Sequence, residues 1–322
     1  MLRIFVTTFL FFTSHCFADF QIPSPNVGVI EFSHPEKFSR IVALSDVHGM
    51  YSTLHRLFLS TRLIDSGLHW RGSNTLVVVV GDSIDKGPDS VNVLDFWMAL
   101  IPQARAAGGE IVHLLGNHEA EFLADPSNPK AKELLNELKL KGIDVRQLTD
   151  PSFPRGRLMR NLPLAARVGN WLFCHSGFYP KTDFMTFRTM ARNVLQGGDY
   201  SNPFLIGPES VLQAKNWWAN PNSRQDLESR LYLNHFYGVV FGHQPEALST
   251  SNHSTRDSIA AADQLRLIKV DSGMNPDAGG YAGHLLVFTQ PSDLSKMQAP
   301  RAFSMSVLGD LTPLSWSNGP FQ

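Results

Sequence analysis

The 322-residue chain carries 28 lysines and arginines against 29 aspartates and glutamates, so its formal net charge is −1, and 43% of its residues are hydrophobic. This length is enough for one large domain or two small ones, each with a substantial core. Because the charge is nearly balanced and no basic or acidic block occurs, the composition argues against a protein that binds nucleic acid or a membrane surface.

The first 18 residues have the pattern of a secretory signal peptide. Arg3 gives a short basic start, Ile4–Phe12 is apolar, and residues 16–18 read Cys-Phe-Ala, with small residues at the −3 and −1 positions of a cleavage site. The apolar stretch is far below the roughly 20 residues that a spanning helix needs. We therefore expect cleavage after Ala18, export to the periplasm or the medium, and no stable membrane insertion.

Strand and helix patterns alternate along the rest of the chain, after an extended, proline-containing leader at residues 19–38. Strands are predicted at Ile41–Ser45, Thr75–Val80, Glu110–Leu115, Val168–Cys174, Gly238–Phe241, Leu265–Val270 and Leu285–Phe288. Helices are predicted at Tyr51–Ile64, Asp89–Leu100, Lys130–Lys141, Phe184–Leu195, Glu209–Trp218 and Asp226–Phe236. Since no linker-like stretch divides these elements, they favour one α/β domain with a sheet or two-sheet sandwich core.

Two further stretches have no clear period. Residues 143–167 are rich in proline and arginine, which predicts an irregular cap over the sheet edge. The last 30 or so residues are of mixed composition and predict an extended tail.

Two isolated residue types are interpreted as structural. Once the signal segment is removed, Cys174 is the only cysteine, so an intramolecular disulfide is excluded, and its apolar surroundings predict a buried, inert thiol. His113 stands inside the apolar strand at 110–115, where a hydrogen-bonded core histidine is the favoured interpretation.

Five polar clusters fall directly after five of the predicted strands. They are Asp46-Val47-His48, Gly81-Asp82-Ser83-Ile84-Asp85, Gly116-Asn117-His118-Glu119, His175-Ser176-Gly177 and Gly242-His243-Gln244. In open α/β sheets the carboxyl ends of the strands form the ligand crevice, so these clusters are expected to converge on one place.

The chemistry of the clusters is that of a metal site. Asp46 and His48 stand at i and i+2 after a strand, a spacing that points both side chains the same way. Asp, His and Asn supply oxygen and nitrogen but no thiolate, which suits Mn, Fe or Zn rather than a structural zinc knot. A single carboxylate can also bridge two ions about 3.5–4 Å apart, as in two-metal phosphoesterase sites.

The order DxH, GDxxD, GNHE, H, GH resembles the calcineurin-like metallophosphoesterase superfamily over roughly Ile41–Phe288. Within it, the full GNHE, the HSG and a GHQ without a second histidine resemble the PPP phosphoprotein phosphatases, especially the bacterial Shewanella-like branch. The resemblance implies a metallophosphoesterase-like β-sandwich core flanked by α-helices, with a small cap insertion. It also implies a single metallophosphatase domain over residues 19–322, with its core at about 41–290.

The resemblance further implies two divalent metal ions and the residues around them. Six ligands are implied, with Asp46, His48 and Asp82 on the first ion, Asp82 shared between the two, and Asn117, His175 and His243 on the second. His118 resembles the family's proton donor to the leaving oxygen, and Asp85 the carboxylate that orients it. Local alternatives stay open, because Asp85 could be a helix cap, His118 a solvated loop residue and His243 a packed histidine.

The residues that would contact substrate depart from the family pattern. Where the family has Gly-Asp-x-x-Asp-Arg-Gly, this chain has Lys86 in place of the arginine, and a lysine supplies charge without bidentate geometry. Arg157 and Arg160 in the cap are the nearest candidates for phosphate binding, with a solubilising surface role as the alternative. Arg224 is a weaker candidate.

These observations lead to three functional hypotheses. The first is an exported dinuclear-metal phosphomonoesterase, a protein phosphatase for phospho-Ser/Thr or phospho-Tyr, which hydrolyses by direct attack of a metal-bridging hydroxide on phosphorus. The second is a small-molecule phosphatase or a dinucleoside-polyphosphate hydrolase. The third is a metal-binding interaction protein that has lost turnover. The sequence leaves the identity of the metals and the oligomeric state open.

Overall fold

The computed structural model of the protein describes residues 26–177, 182–219 and 223–317. The predicted signal peptide lies outside the described residues. Within them, no helix has both the length and the apolar character needed to cross a membrane.

Two six-stranded sheets form the centre of the molecule. The order in the first sheet is β1 (Val29–Phe32), β5 (Ala165–Val168), β6 (Trp171–Cys174), β7 (Gly238–Phe241), β9 (Leu267–Lys269) and β8 (Ala260–Ala262). The order in the second is β12 (Leu311–Pro313), β11 (Ala302–Met305), β10 (Leu285–Phe288), β2 (Ile41–Leu44), β3 (Leu76–Val79) and β4 (Glu110–His113). The predicted α/β fold with a β-sandwich core is confirmed.

The parallel parts of the two sheets hold the strands that matter for the site. Strands β2, β3 and β4 run parallel in the second sheet, and β6, β7 and β9 run parallel in the first. In β3, Leu76 and Val78 pack in the core between the sheets, whereas Val77 and Val79 pack under the helices. Burial on both faces explains why this strand has an uninterrupted apolar sequence.

Eight α-helices surround the sheets within the described residues. They are α1 (Tyr51–Ser60), α2 (Ser90–Ala106), α3 (Asn117–Ala124), α4 (Lys132–Lys141), α5 (Arg146–Thr149), α6 (Pro154–Arg160), α7 (Phe184–Gly197) and α8 (Ser223–Leu233). Phe58 of α1 meets Phe96 and Trp97 of α2 edge to face, with ring centroids 5.3 and 5.6 Å apart. This aromatic cluster anchors both helices over the second sheet.

One predicted strand, Val168–Cys174, is wrong because the chain reverses within it. Strands β5 and β6 are antiparallel neighbours that pair Val168 with Trp171. The turn consists of Gly169, whose φ is +58°, and Asn170, two residue types suited to a left-handed or tight turn. The apolar residues on both sides of this turn concealed it in the sequence pattern.

The predicted helix Glu209–Trp218 is also wrong, since the chain forms turns there. The Gln213 side chain takes a backbone hydrogen that a helix would use, since its Oε1 accepts from Gly207 N at 2.7 Å. Asn216 also has a positive φ of 50°, which is not a helical conformation. The predicted irregular cap at 143–167 instead contains α5 and α6 and ends in the first residues of β5. Helix α3 was not predicted at all, because its sequence was interpreted only as a polar cluster.

Both ends of the described chain contribute strands. The leader contains β1, which pairs in parallel with β5. The extended tail contains β11 and β12, which add antiparallel strands beside β10.

Candidate dinuclear metal site

The five polar clusters lie together where the carboxyl ends of β2, β3, β4, β6 and β7 meet. His175, after β6 of the first sheet, has Nε2 3.3 Å from Asp82 Oδ2, after β3 of the second sheet. The backbone N–H of His243, after β7, donates to Asp46 Oδ2 at 2.9 Å. The predicted convergence of the strand ends is confirmed by these contacts between the sheets.

Left-handed backbone directs the clusters into the site. The non-glycine residues with positive φ here are Asp46 (55°), His48 (46°), Asp82 (54°), Asp85 (71°) and His243 (67°). Asp and His adopt this conformation more readily than most residues. Hydrogen bonds from His48 N to Asp82 O (3.0 Å) and from Gly49 N to Ser83 O (2.8 Å) continue the pairing of β2 and β3 into their loops. The two loops therefore form one rigid unit.

Two groups of side chains can each hold a metal ion. His48, Asp82 and His118 form one group, and Asp82, His175 and His243 form the other, with all ligand atoms of a group within 4.8 Å of one another. Asp82 belongs to both groups, as a carboxylate shared by two ions would. His118, interpreted from the sequence as a proton donor, thus also lies within reach of the first group.

The histidine orientations favour a cation. His48 Nδ1 faces the carbonyl of Ile84 at 3.1 Å and His175 Nδ1 faces that of Val80 at 2.8 Å, so both Nδ1 atoms donate. Both Nε2 atoms then lie near Asp82 Oδ2, at 3.3 Å for His175 and at 3.5 Å for His48, whose Nε2 also has the Lys86 ammonium at 3.1 Å. Nitrogen and oxygen acceptors at this distance repel one another unless a proton or a metal ion lies between them.

The pKa shifts report the same need for positive charge. Burial lowers the pKa of His175, but the negative charges of Asp82 and Asp46 outweigh it and raise that pKa to about 10. Burial acts to raise the pKa of Asp82, whereas His175 and His118 bring it well below its ordinary value. Metal binding would displace the proton on His175, so affinity should depend on pH.

The other implied ligands fit the same donor set. Nε2 of His243 is buried and has no hydrogen-bond partner among the described residues. Asn117 donates from Nδ2 to Glu121 Oε2 at 3.1 Å, which turns its Oδ1 towards His175 Nε2 at 3.1 Å. Imidazole nitrogens, carboxylates and one amide oxygen are a suitable donor set for Mn, Fe or Zn. The side chains present therefore fit a pair of divalent ions.

His118 and Asp85 form a buried pair beside these groups. Nδ1 of His118 lies 3.2 Å from Asp85 Oδ2, and the His118 ring meets His48 edge to face at 4.8 Å. Asp89, not Asp85, occupies the N-cap position of α2. The pairing leaves Nε2 of His118 as the ring nitrogen available to a ligand.

The substrate-binding candidates separate into two places. Nζ of Lys86 lies 3.1 Å from His48 Nε2, inside the site. Arg157 is exposed and its Nε donates to the carbonyl of Pro151 at 3.3 Å. Arg160 donates to the carbonyl of Thr149, with its guanidinium 5.4 Å from the Tyr200 ring centroid. The described contacts of the two cap arginines thus lie away from the strand-end clusters, and Arg224 pairs with Asp263 at 3.1 Å.

Glu119 belongs to one of the predicted clusters, but the sequence analysis gave it no role. Its Oε1 accepts from the backbone N–H of Ser83 (2.7 Å) and Ile84 (3.2 Å), and its Oε2 from that of Asp82 (3.0 Å) and Gly116 (3.0 Å). Burial and the charge of Asp82 raise the pKa of Glu119 to about 7. The carboxylate locks the Asp82 loop to the start of α3. Its position three residues after the N-cap Gly116, from which a Glu side chain can reach back to the N-cap N–H, was the available signal.

Lys269 was missed because three of its partners, Pro245, Thr255 and Ser258, are distant in sequence. Its buried Nζ, which has three hydrogens to donate, lies within hydrogen-bond distance of four backbone carbonyls, those of Pro245 (3.0 Å), Thr255 (2.5 Å), Ser258 (2.7 Å) and Asp271 (2.7 Å). Burial lowers the pKa of Lys269 to about 8. These bonds hold the loop that follows His243, and a lysine within the apolar run of β9 was the available signal.

Comparison with known proteins points to one family. The family model of calcineurin-like phosphoesterases matches residues 39–262. Shewanella-like protein phosphatase 2 of Arabidopsis thaliana is 35% identical over 140 residues, which are 44% of this chain and 36% of the plant protein. The symmetrical bis(5'-nucleosyl)-tetraphosphatase of Janthinobacterium sp. is 30% identical over 229 residues, which are 70% of this chain and 62% of that protein. The chain thus spans less than two thirds of either relative's length.

A solved structure shows the same fold. The cold-active protein-tyrosine phosphatase of a psychrophilic Shewanella species superposes with a TM-score of 0.68 at 20% identity, covering 89% of this chain and 82% of that one. At this identity the likeness concerns the fold alone.

Proposed function

The chain belongs to the calcineurin-like phosphoesterase family, and on that premise we propose that it is a metal-dependent phosphomonoesterase acting on phosphoproteins. The observation that carries the proposal is the pair of ligand groups that share Asp82. The contact between His175 and Asp82, and the His118–Asp85 pair beside it, support the proposal.

The metal ions would be held by the residues already described. Asp46, His48 and Asp82 would hold one ion, and Asp82, Asn117, His175 and His243 the other. When bound, such ions polarise a phosphoryl oxygen and make water more acidic. Mn is our proposal for the assay metal because oxygen and imidazole ligands suit it, with Fe and Zn as the other candidates.

The protein's own part in the reaction is orientation and proton transfer. Asp85 holds His118 through Nδ1, so the opposite ring nitrogen, Nε2, can donate a proton to the leaving oxygen. Lys86 supplies a positive charge at the site, next to His48. Among the described residues the nearby Ser176 Oγ donates to Val211 O, and burial raises the pKa of the Cys174 thiol. These contacts favour direct attack by water over a covalent enzyme intermediate.

The substrate class rests on the relatives. Similarity to a Shewanella-like protein phosphatase supports phosphoproteins. Similarity to a bis(5'-nucleosyl)-tetraphosphatase over a longer part of the chain supports dinucleoside tetraphosphates as the second candidate.

The test is a substrate panel with metal supplied. Purified protein lacking residues 1–18 is assayed with manganese on p-nitrophenyl phosphate, phosphoserine, phosphothreonine and phosphotyrosine peptides, and diadenosine tetraphosphate. The proposal predicts chelator-sensitive activity with the highest kcat/KM on a phosphopeptide. The highest value on diadenosine tetraphosphate would replace the substrate class, and bound metal without hydrolysis of any member would leave an inactive metal-binding protein.

We also propose that the protein is exported after cleavage behind Ala18. The support is the basic, apolar and small-residue pattern of residues 1–18. Full-length expression in a Gram-negative host should yield periplasmic protein whose N-terminal residue is Asp19. Protein that retains Met1 in the cytoplasmic fraction would contradict export, without bearing on the phosphatase activity.

A further inference from the structure

The carboxylate of Glu121 accepts hydrogen bonds from three side chains, one of which is the implied metal ligand Asn117. Glu121 lies one helical turn after Asn117 in α3, so the two side chains are on the same face of the helix. Asn117 Nδ2 donates to Glu121 Oε2 at 3.1 Å. The other carboxylate oxygen, Oε1, accepts from Lys130 Nζ at 2.6 Å and from Gln213 Nε2 at 2.5 Å. Donors from three parts of the chain therefore converge on one carboxylate, whose side chain is 16% exposed.

The partners of Gln213 and Asn117 fix which end of each amide faces Glu121. The backbone N–H of Gly207 donates to Gln213 Oε1 at 2.7 Å, so the NH2 group of Gln213 faces Glu121. Because an ionised carboxylate only accepts hydrogen bonds, Asn117 also presents its NH2 group to Glu121. The Lys130 ammonium group has hydrogens to donate and cannot accept. Each hydrogen bond around Glu121 can therefore run in one direction only.

The amide oxygen of Asn117 lies among the atoms that would hold the second ion. Its Oδ1 is 3.1 Å from His175 Nε2, which is itself 3.3 Å from Asp82 Oδ2. If the amide were reversed, its NH2 group, which has no lone pair for a cation, would face these atoms instead. The two orientations of an amide have nearly the same shape, so hydrogen bonding decides between them.

We propose that Glu121 is a positioning residue for the second metal ion, because it holds the Asn117 amide with Oδ1, and not Nδ2, towards the ion. Glu121 lies outside the five polar clusters, and the inference rests on the proposed metal-dependent function. Partners that orient a metal ligand are typically worth about 10–100-fold in metal affinity or activity. Lys130 and Gln213 hold the carboxylate in place, so the 207–213 loop also supports this ligand.

The test is Glu121→Gln, which keeps the shape of the side chain and changes its polarity. Lys130 and Gln213 both donate, so they should take the amide oxygen of the new side chain and leave its NH2 group facing Asn117. The Asn117 amide should then reverse. Isothermal titration of the full chain after signal removal with manganese should show two bound ions in wild type. In the variant, one of the two should bind about 10–100-fold more weakly.

The Asn117→Asp background separates orientation from charge. An ionised aspartate has an acceptor oxygen on both sides, so it offers oxygen to the ion in either orientation. Glu121→Gln should therefore lower manganese affinity in the wild-type background but not in the Asn117→Asp background. Glu133→Gln, the same change at an exposed position of α4, is the control for the loss of one negative charge and should leave the affinity unchanged. Equal losses of affinity from Glu121→Gln in both backgrounds would overturn the inference, because a charge effect alone would explain them.

Manganese binding by wild type distinguishes the positioning role from the proposed function. If wild type binds two ions and Glu121→Gln binds them equally well, the positioning role is refuted and the proposed function stands. If wild type binds no manganese, the proposed function is contradicted and the inference fails with it. Far-UV circular dichroism checks that each variant is folded. If Glu121→Gln is not, Glu121→Ala decides: loss of the acceptor should lower the affinity for one ion about tenfold, and an unchanged affinity would refute the role.

Discussion

Charged side chains have different partners in the strand-end site and in the cap helices α5 and α6. In the site, Asp82 and His175 come from different sheets and their charges depend on each other. In the cap, Arg157 and Arg160 donate to the backbone carbonyls of Pro151 and Thr149. The site is therefore defined by the topology of the whole fold, whereas the exposed Arg157 is held only by a local contact and could be exchanged at little cost.

The contrast extends to the backbone. Glu119 and Lys269 each gather four backbone groups around the loops that carry Asp82 and His243. In the cap, Arg155 of α6 does make a long-range ion pair, with both carboxylate oxygens of Asp95 in α2 at 2.7 Å, whereas the described bond of the Arg157 side chain is local. Substitutions should accordingly have effects that fall in order from the shared ligand, through the proton donor and the loop anchors, to the cap.

The largest effect is expected for Asp82→Asn. Loss of the shared carboxylate removes several kcal/mol of stabilisation of the transition-state charge. This corresponds to a fall in kcat/KM of about a thousandfold or more. The measurements are kcat/KM on p-nitrophenyl phosphate and the metal content of the variant. The matched control is Asp144→Asn, because the Asp144 carboxylate pairs with Arg146 at the surface. Activity within a few-fold of wild type in Asp82→Asn would remove the basis for a shared ligand.

His118→Asn should separate chemistry from metal binding. General acid catalysis contributes about 10²–10⁴-fold, so kcat should fall by that factor while both ions stay bound. The measurements are kcat and metal content, with His34→Asn at an exposed position as control. If the variant instead loses one ion, His118 is a metal ligand, as its membership of the first ligand group allows.

Lys269→Met should loosen the loop after His243. Removing the ammonium group leaves four carbonyl groups without their donor, two of the bonds being buried and two partly buried. Because Lys269 supports the loop and not His243 itself, we expect metal affinity to fall about tenfold, the lower end of the effect of losing a contact that orients a metal ligand. Manganese titration measures the change, and thermal unfolding measures the accompanying loss of stability. Lys296→Met, at a half-exposed lysine that pairs with Asp293, serves as control. Unchanged affinity in a folded Lys269→Met would show that the loop does not position His243.

The smallest effect is expected in the cap. Arg157→Ala removes an exposed side chain whose described contact lies away from the site, so kcat/KM should stay within about twofold of wild type and the free energy of unfolding within about 0.5 kcal/mol. Lys86→Ala should instead raise KM about tenfold, because a charge-assisted hydrogen bond to the phosphate is lost. Steady-state kinetics on a phosphopeptide compares the two. A larger rise in KM for Arg157→Ala would assign phosphate binding to the cap and reverse the comparison.

The sequence predicted the site's location because the signal is local. An apolar β run followed at once by Asp or His marks a strand end, and parallel neighbours carry such ends to one edge. The Asp46 and Asp82 clusters follow strands that pair directly, and the His175 and His243 clusters follow a second such pair. The order of the strands along the chain was thus enough to predict that the clusters converge, although no distance between them was known.

What remained hidden depends on long-range or backbone contacts. The turn at Gly169 lies between two apolar segments, so periodicity joined β5 and β6 into one strand. The partners of Glu119 are backbone N–H groups, which no residue type reveals. The carbonyl acceptors of Lys269 and the contact of His113 Nε2 with Ser83 Oγ likewise become visible only in three dimensions.

The left-handed backbone of the ligand residues has a consequence for laboratory evolution. Asp46, His48, Asp82 and His243 each hold a conformation that costs a residue with a side chain about 1–2 kcal/mol. Glycine relieves that cost at every one of these positions, and a library screened only for heat resistance would therefore tend to retain glycine there. Selection for stability alone, with no selection for activity, should therefore yield variants of this chain that are more stable but no longer bind metal.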